Sequence, residues 1–529
     1  LPLAFLLFLL LPVSCIAAAD HPGLAEGLLL LGEKSFAKKV EGAEKISASG
    51  DPRAEKILLG LLDGQLFLTR SEQVPVYGIP AEEGVDITNI LTGEPLGVVQ
   101  AEELGKITIN NQLRSQLKTL LARLSLVSGD PAVRLAGVKA MLAELTPETT
   151  KVLEELHGSE KNSEVKEVLA TAIALAGIKS PDAAARIRAL NNLQGNLNPV
   201  VRNELILLID QEKDDHVLAE AKRTLTSIEA KVAWYARLET VFFGLSLGSV
   251  LVLAAIGLAI TFGVIGVINM AHGELIMIGA YTAYVLQQLM PNSIGLAVAL
   301  AVPGAFCVAG LVGIVIEKSV IRFLYGRPLE TLLATFGISL ILQQTVRSIF
   351  SPLNRSVATP EWMSGSIMIN PVLSLTNNRL AIFVFAMVVF AGLFLLLKKS
   401  PLGLQVRAVA QNRAMARSMG VRASRVDALT FGLGSGIAGI AGVALSQLTN
   451  VGPNLGQSYI VDSFMVVVFG GVGNLWGTLL GGLSLGVAGK FLEPYSGAVL
   501  AKIVILVLII LFIQKRPQGL FPQRGRAAE

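Results

Sequence analysis

The chain has 529 residues, of which 52% are hydrophobic and 16% are charged, and its mean hydropathy is +0.61. This composition is too apolar for a soluble protein of this length, so it predicts an integral membrane protein. The formal net charge of +4 argues against nucleic acid as a partner. Two cysteines, Cys15 and Cys307, exclude a disulfide framework and a cysteine-based zinc site, and the four histidines lack ligand spacing, so we expect no metal and no cofactor.

Residues 1–19 form an apolar run that ends in small side chains, and Asp20 follows it. This pattern is typical of a secretory signal peptide, with cleavage expected after Ala19. A lipoprotein site at Cys15 is the weaker alternative, because Pro12 stands where a branched aliphatic residue is expected. Either pattern predicts that residues 20–236 form an exported, periplasmic domain.

Helical periodicity dominates this exported domain, and one kind of helix start recurs in it. An Asp or Asn, twice followed by Pro, precedes an apolar stripe at Asp130, Asn162 and Asn198. These starts lie 32 and 36 residues apart, which favours HEAT-like α-helical repeats over residues 106–232. Residues near 67–99 are instead rich in β-branched side chains and carry a turn at Thr92–Pro95, so they predict a small β-hairpin.

Apolar runs of spanning length fill residues 237–516, the predicted transmembrane permease domain. Nine spans, with eight to ten acceptable, place three basic stretches in the cytoplasm: Lys318–Arg327, Lys398–Arg425 and Lys515–Arg526. Residues 517–529 then form a cytoplasmic tail. The predicted fold class is an all-α polytopic membrane protein, preceded by a mainly α-helical, HEAT-like exported domain with a small β insert.

A basic loop, residues 398–427, separates two of the apolar runs. It contains seven basic residues and one acid, Asp427. Within it, Gln405–Met419 predicts one amphipathic helix, with Val406, Val409, Ala410, Ala414 and Met419 on the apolar face. The residues alone leave two interpretations open: a loop whose charges set the membrane topology, or a surface on which a cytoplasmic partner docks.

Polar side chains and glycines inside the apolar runs are the remaining candidates for function. Ionisable and amide groups at membrane depth usually face the protein interior or a water-filled path, and we select Asn269, His272, Glu274 and Gln343 as pathway candidates. A helix-packing role fits each of them equally well. Close helix packing or a broken helix is predicted at Gly436, Gly439, Gly470, Gly471 and Gly473.

Several segments resemble the permease subunits of branched-chain amino-acid-type ABC importers, over roughly Glu239 to Pro522. They are INMAHGELIMIGAY from Ile268, EKSVIRFLYGRPLETLLATFGISLILQ from Glu317, FGLGSGIAGIAG after the basic loop, and VVVFGGVGNLWGTLLGGLSLG from Val466. Ala414–Gly420 resembles the family's Glu-Ala-Ala-x-x-x-Gly element, although Ala414 replaces the common glutamate. The resemblance implies that the loop couples to an ATPase through Arg413, Ala414, Met415, Ala416, Arg417 and Gly420.

The long exported domain and the motif TNILTGEPL from Thr88 are similar to the urea-type members of this family. This similarity implies a permease for urea or short amides, with branched-chain amino acids as the alternative substrate. It also implies a bacterial inner-membrane assembly with a second related permease, two ATP-binding subunits and an extracytoplasmic substrate-binding protein. The chain itself would be no enzyme, because ATP hydrolysis belongs to its partners.

An ion-coupled secondary transporter or a channel is the alternative of a different class. Such a protein would need no ATPase, and paired broken helices with buried acids are expected in its two halves. The sequence contains only scattered acids of this kind.

Overall fold

The computed structural model describes residues 22–69, 75–81, 84–126, 128–142, 145 and 147–521. The chain divides into two compact units, Leu1–Ala230 and Lys231–Glu529, and the boundary falls inside helix α10 (Asp215–Ile265). The predicted signal peptide and most of the predicted tail lie outside the described residues. Each unit is treated separately below.

The first unit begins with three helices and a β-sheet. The helices are α1 (Pro22–Leu31), α2 (Phe36–Ala48) and α3 (Ala54–Leu62). The strands are β1 (Leu66–Thr69), β2 (Pro75–Ala81), β3 (Gly84–Asn89), β4 (Pro95–Val99) and β5 (Leu104–Lys106). They form one antiparallel sheet in the order β4-β3-β2-β1-β5. The structure therefore has a five-stranded sheet where a single hairpin was predicted near residues 67–99. Strand β1 pairs with β5, which lies more than 30 residues later in the chain, and no local sequence pattern reveals such a pairing.

Six capped or tightly packed helices complete the first unit before α10. They are α4 (Asn111–Leu126), α5 (Pro131–Met141), α6 (Pro147–Ser159), α7 (Ser163–Gly177), α8 (Ala183–Asn192) and α9 (Pro199–Gln211). The side chains of Asp130, Asn162 and Asn198 each accept a hydrogen bond from the backbone N–H two residues later, at 2.9–3.0 Å. These caps therefore start α5, α7 and α9, as their residue types predict.

The contacts between these helices repeat at a longer interval than the predicted one. Arg134 binds Glu160 at 2.8 Å and donates to the Ser128 carbonyl oxygen. Arg186 makes the same two contacts, with Glu212 and with the Ser180 carbonyl oxygen. Each residue of the second set follows its counterpart by 52 positions. The repeat therefore relates α5 to α8 and α6 to α9, whereas the caps alone suggested α5, α7 and α9, because nearly every helix here starts with a similar cap.

The second unit is helical, with one small hairpin. After α10 come α11 (His272–Leu289), α12 (Ile294–Ser319), α13 (Pro328–Phe350), α14 (Asn377–Lys399), α15 (Pro401–Gln411), α16 (Arg413–Ser418), α17 (Ala423–Ser446), α18 (Leu455–Gly470) and α19 (Leu475–Lys515). Strands β6 (Ser366–Met368) and β7 (Ser374–Thr376) pair between α13 and α14.

Six helices of the described residues are long and apolar enough to cross a membrane. They are Asp215–Ile265, Ile294–Phe323, Pro328–Phe350, Asn377–Lys399, Ala423–Ser446 and Leu475–Lys515. Helix α18 is apolar but shorter, and Gly497 (φ 75°, ψ 163°) divides α19 into two arms. Nine crossings would need α11, α18 and both arms of α19 to cross, so the nine-span topology stays a prediction.

Helix α17 lies at the centre of the second unit, and glycines bring its neighbours close to it. A Cβ atom on Gly279 of α11 would collide with the Gly439 carbonyl oxygen of α17. A Cβ on Gly436 would lie 2.6 Å from the Phe306 ring of α12. Without side chains at these positions, the backbones approach within van der Waals contact, which is the usual way to pack helices in lipid.

Candidate functional site

A stripe of polar side chains runs along one face of α13. Its members, Thr331, Thr335, Ser339 and Gln343, are spaced four residues apart, and none is more than 4% exposed. Residues four apart lie one above the other on a helix, so the four side chains share one face. Only Gln343 was selected from the sequence. The four-residue spacing within an apolar run was the signal that would have revealed the other three.

Glu274 of α11 faces this stripe. Gln343 Nε2 donates to Glu274 Oε1 at 2.8 Å, and Ser339 Oγ donates to the same oxygen at 3.0 Å. Oε2 of Glu274 is buried and has no hydrogen-bond partner among the described residues. A buried carboxyl group needs such donors, because removing it from water is otherwise unfavourable by several kcal/mol, of order 2–7 for an uncompensated polar group. The structure thus brings Glu274 and Gln343 together.

The other two pathway candidates begin α11 and have different partners. Asn269 Oδ1 accepts from the Ala271 N–H at 3.0 Å, and the neighbouring Met270 N–H donates to Thr335 Oγ1 at 3.1 Å. His272 Nε2 lies 2.8 Å from the Ala254 carbonyl oxygen of α10, so it carries the proton and donates. Asn269 therefore shapes the entry to α11 beside the stripe, whereas His272 points away from the stripe to α10.

The glycines predicted to break a helix lie where α18 meets α19. Helix α18 ends at Gly470, and Gly471 (φ 105°) and Gly473 (φ 78°) take conformations that side chains disfavour. Asn474 then caps α19 through the backbone N–H groups of Trp476 and Gly477, at 3.0 and 3.2 Å.

In the described parts of the chain, no group of three or more His, Cys, Asp or Glu side chains is arranged to hold a metal ion.

The basic loop contains two short helices rather than the single one predicted for Gln405–Met419. Helix α15 ends at Gln411, and Asn412 adopts an extended conformation (φ −151°, ψ 101°). Its side chain accepts from the Met415 N–H at 2.9 Å and caps α16. The prediction was wrong because the Asn412 side chain accepts a hydrogen bond from the nearby Met415 N–H, which ends one helix and starts another. The spacing of apolar residues gives no information about such a bond.

The break at Asn412 changes which side chains of α16 are exposed. Ala416 packs in an apolar cluster with Val406, Val409 and Val426. Met415 is 62% exposed and Met419 79%, and Ala414, Arg417 and Gly420 are exposed as well. Ala414 and Met419 therefore do not share one face with the buried Val406 and Val409, as the single helix predicted. The large exposed apolar residues of this loop are Leu404, Met415 and Met419.

Arg413 is the residue of α16 that reaches into the protein. Its guanidinium pairs with Asp427, whose side chain is fully buried in the first turns of α17. The same guanidinium lies 4.6 Å from the centre of the Tyr325 ring. Tyr325 Oη donates to Glu317 Oε1 at 2.6 Å, at the end of α12, and burial raises the pKa of Tyr325, which keeps that hydroxyl protonated. Arg413 thus connects α16 to both α12 and α17.

Comparisons with known proteins identify the family to which the second unit is similar. Residues 240–513 match the family described as branched-chain amino acid transport system / permease component. The high-affinity branched-chain amino acid transport system permease protein LivH of Salmonella typhimurium is 34% identical over 294 residues, which cover 54% of this chain and 94% of LivH. The corresponding protein BraD of Pseudomonas aeruginosa is 33% identical over 297 residues, covering 54% of this chain and 96% of BraD.

A more distant relative is the probable branched-chain amino acid transport permease protein LivH of Methanocaldococcus jannaschii. It is 27% identical over 290 residues, covering 51% of this chain and 88% of that protein. No solved structure matches the chain. The family match includes α11, α13 and the loop of α15 and α16, so both candidate sites lie inside it. The chain therefore belongs to the family of branched-chain amino acid transport permease components.

Proposed function

We propose that this chain is the membrane-embedded subunit of an ATP-driven importer, in which it forms part of the substrate path and couples to separate ATPase subunits. The main support is that α16 has an exposed apolar side and is also attached to the membrane helices through Arg413. Its exposed apolar residues, Met415 and the adjoining Met419, are available to a partner, while Arg413 attaches the same short helix to α12 and α17. An apolar patch with Met side chains is typical of protein interfaces.

The assembly would contain a second related permease, two ATP-binding subunits and a substrate-binding protein. In the bacterial inner membrane, nine crossings with residues 20–236 in the periplasm would leave the basic loop and the C-terminus in the cytoplasm. The excess of Lys and Arg in residues 398–427 supports this orientation. An ion-coupled transporter or a channel would bind no ATPase, so ATPase capture separates the two classes.

The substrate path is proposed to pass along the stripe of α13 beside Glu274. Hydroxyl and amide groups on one face would replace the water lost by a small polar solute, which is what a path across lipid needs. Glu274, Ser339 and Gln343 supply both donors and acceptors at this place.

The relatives favour a branched-chain amino acid as the substrate, ahead of the urea that the sequence predicts. LivH and BraD are both named for branched-chain amino acid transport, and the alignment with this chain covers 94% of LivH and 96% of BraD. Urea remains the second candidate on one specific observation. The first unit carries the motif TNILTGEPL, whose resemblance to urea-type permeases is the basis for urea, and the family match over residues 240–513 does not include this motif.

Capture of the ATPases tests the coupling role. We expect Met415→Glu to weaken ATPase binding by about 2 kcal/mol, or roughly 30-fold, because it places a charge in a central interface position. Ser424→Glu is the matched control, since it adds the same charge at an exposed position of the same loop. Deletion of residues 406–425 should abolish capture. Retention of the ATPases by the deletion variant would refute the docking role.

Uptake of labelled leucine and labelled urea tests the substrate. Cells that lack this gene are complemented with the wild-type chain, and each solute is used to compete with the other. Loss of leucine uptake alone on deletion would support the amino-acid substrate and refute urea. Loss of urea uptake alone would reverse that conclusion.

A further inference from the structure

A cleft of about 410 Å³ lies beside the basic loop in the second unit. Its walls are mostly apolar and come mainly from three helices, with Leu475 of α19 added to them: Ile260 and Val264 of α10, Phe394 and Leu397 of α14, and Val406 and Ala410 of α15. The volume falls within the usual range for small-molecule sites, roughly 300–1,000 Å³. The cleft is thus large enough for a hydrocarbon chain and lined by groups that favour one.

Two cations stand at the edge of this cleft. Lys398 and Arg407 both contribute to its lining. Lys398 Nζ lies 5.4 Å from the centre of the Phe394 ring, and Arg407 Nη1 donates to the Leu397 carbonyl oxygen, so both side chains are held at the end of α14. The acid of the loop, Asp427, is committed to Arg413. The edge of the cleft is therefore positively charged.

Part of the cleft is formed by the end of a candidate membrane span. Phe394 and Leu397 belong to the last turns of the candidate span Asn377–Lys399, and Lys398 and Lys399 end that span. If this span crosses the membrane, Phe394 and Leu397 lie on its lipid side and Lys398 lies at its headgroup side. Basic pockets between membrane helices are known to hold anionic headgroups, with apolar stems buried below.

We propose that this cleft binds an anionic glycerophospholipid, with one acyl chain between α10, α14 and α15 and the phosphate against Lys398 and Arg407. The inference is independent of the transported substrate and of the ATPases. Because α15 forms one wall and leads directly into α16, a bound lipid would also hold α15 against the membrane helices.

Lipid retention by the purified full chain tests the proposal. Native mass spectrometry would compare phosphatidylglycerol with phosphatidylcholine of the same chains, after delipidation and readdition. We expect preferential retention of phosphatidylglycerol by the wild type. Lys398→Ala/Arg407→Ala should lower this affinity roughly 30-fold, because each lost cation should weaken binding about fivefold and the two effects multiply. Lys399→Ala/Arg422→Ala removes the same charge at exposed residues outside the cleft lining and should leave the affinity within about threefold.

A second variant tests the acyl-chain part of the site. Ala410→Phe fills the cleft and keeps both cations, so it should weaken phosphatidylglycerol binding without changing net charge. Equal retention of the two lipids, an equal effect of the two double variants, or unchanged binding in Ala410→Phe would each overturn the proposal. Competition by glycerol 3-phosphate as strong as that by the lipid would also overturn it, because a free anion site needs no apolar cleft. Melting temperatures near wild type would verify that the variants fold.

Discussion

Arg413 and Asp427 form an ion pair that attaches the short helix α16 to the first turns of α17. The Asp427 side chain is fully buried and that of Arg413 is 31% exposed. The pair is therefore asymmetric, with the acid inside and the base at the edge. Arg413 also covers the ring of Tyr325, which donates a hydrogen bond to Glu317 of α12, so this one side chain links the proposed coupling helix to α17 directly and to α12 through Tyr325.

Removing the base of this pair should be more harmful than removing the acid. Arg413→Ala leaves a buried carboxylate without its cation, so we expect a loss of about 3–5 kcal/mol in the free energy of unfolding. Asp427→Asn leaves an arginine that water can reach, and the double variant should recover part of the loss. Thermal unfolding in detergent measures these differences.

The same variants should separate ATP hydrolysis from transport. In proteoliposomes with the ATPases, Arg413→Ala should lower uptake more than hydrolysis, because α16 loses its attachment to α12 and α17. Arg425→Ala, at an exposed position of the same basic loop outside the proposed coupling residues, is the control and should change stability by less than about 0.5 kcal/mol. An equal loss in both variants would contradict a special role for Arg413.

Adjacent glutamines on α13 provide a second test. Gln343 is buried and donates to Glu274, whereas Gln344 is exposed. Gln343→Leu should lower stability by about 1–3 kcal/mol, since the buried carboxyl group loses a donor, and should reduce uptake. Gln344→Leu makes the same chemical change on the outer face and should do neither. Full uptake by Gln343→Leu would exclude this residue from the substrate path.

Two glycines test the close packing of the membrane helices. Gly279→Ala places a methyl group against the Gly439 carbonyl, so we expect a loss of about 1–3 kcal/mol in stability. A Cβ on Gly337 of α13 meets no atom within 4 Å. Gly337→Ala should therefore be neutral or stabilising by up to about 1 kcal/mol. Melting temperatures of the two variants, measured in the same detergent, would show whether the α11–α17 contact limits stability.

The first unit should lose stability at acid pH through Glu160. The hydrogen bonds from Arg134 and from the Asn162 N–H lower the pKa of Glu160 from 4.5 to about 2. A carboxyl group whose pKa falls on folding adds stability above its unfolded pKa, and this contribution disappears as the pH falls through the folded pKa. The contribution should thus be complete above about pH 4.5 and absent below about pH 2.

Thermal unfolding of the full chain at several pH values measures this effect. Glu160→Gln should be less stable than the wild type near neutral pH, and the difference should shrink as the pH falls towards about 2. Glu155→Gln changes an exposed carboxylate of α6, the helix that ends just before Glu160, and serves as the control. A difference that does not vary with pH would contradict the assigned cause.

Features that depend on neighbouring residues could be predicted from the amino-acid sequence. Apolar runs marked the membrane half, and the caps at Asp130, Asn162 and Asn198 marked helix starts, because both are set within one or two turns of chain. The motifs from Ile268 to Val466 were enough to indicate the permease family, which the comparison confirmed.

Contacts between residues far apart in the chain could not be predicted in this way. Glu274 and Gln343 are 69 positions apart, and the sequence contained both without indicating that Ser339 would join them. The 52-residue repeat of the first unit likewise became visible through the ion pairs Arg134–Glu160 and Arg186–Glu212. The contact of Arg413 with Tyr325 requires that α16 lie beside the loop between α12 and α13. Long-range contacts of this kind depend on how the helices pack, and local propensity does not encode that packing.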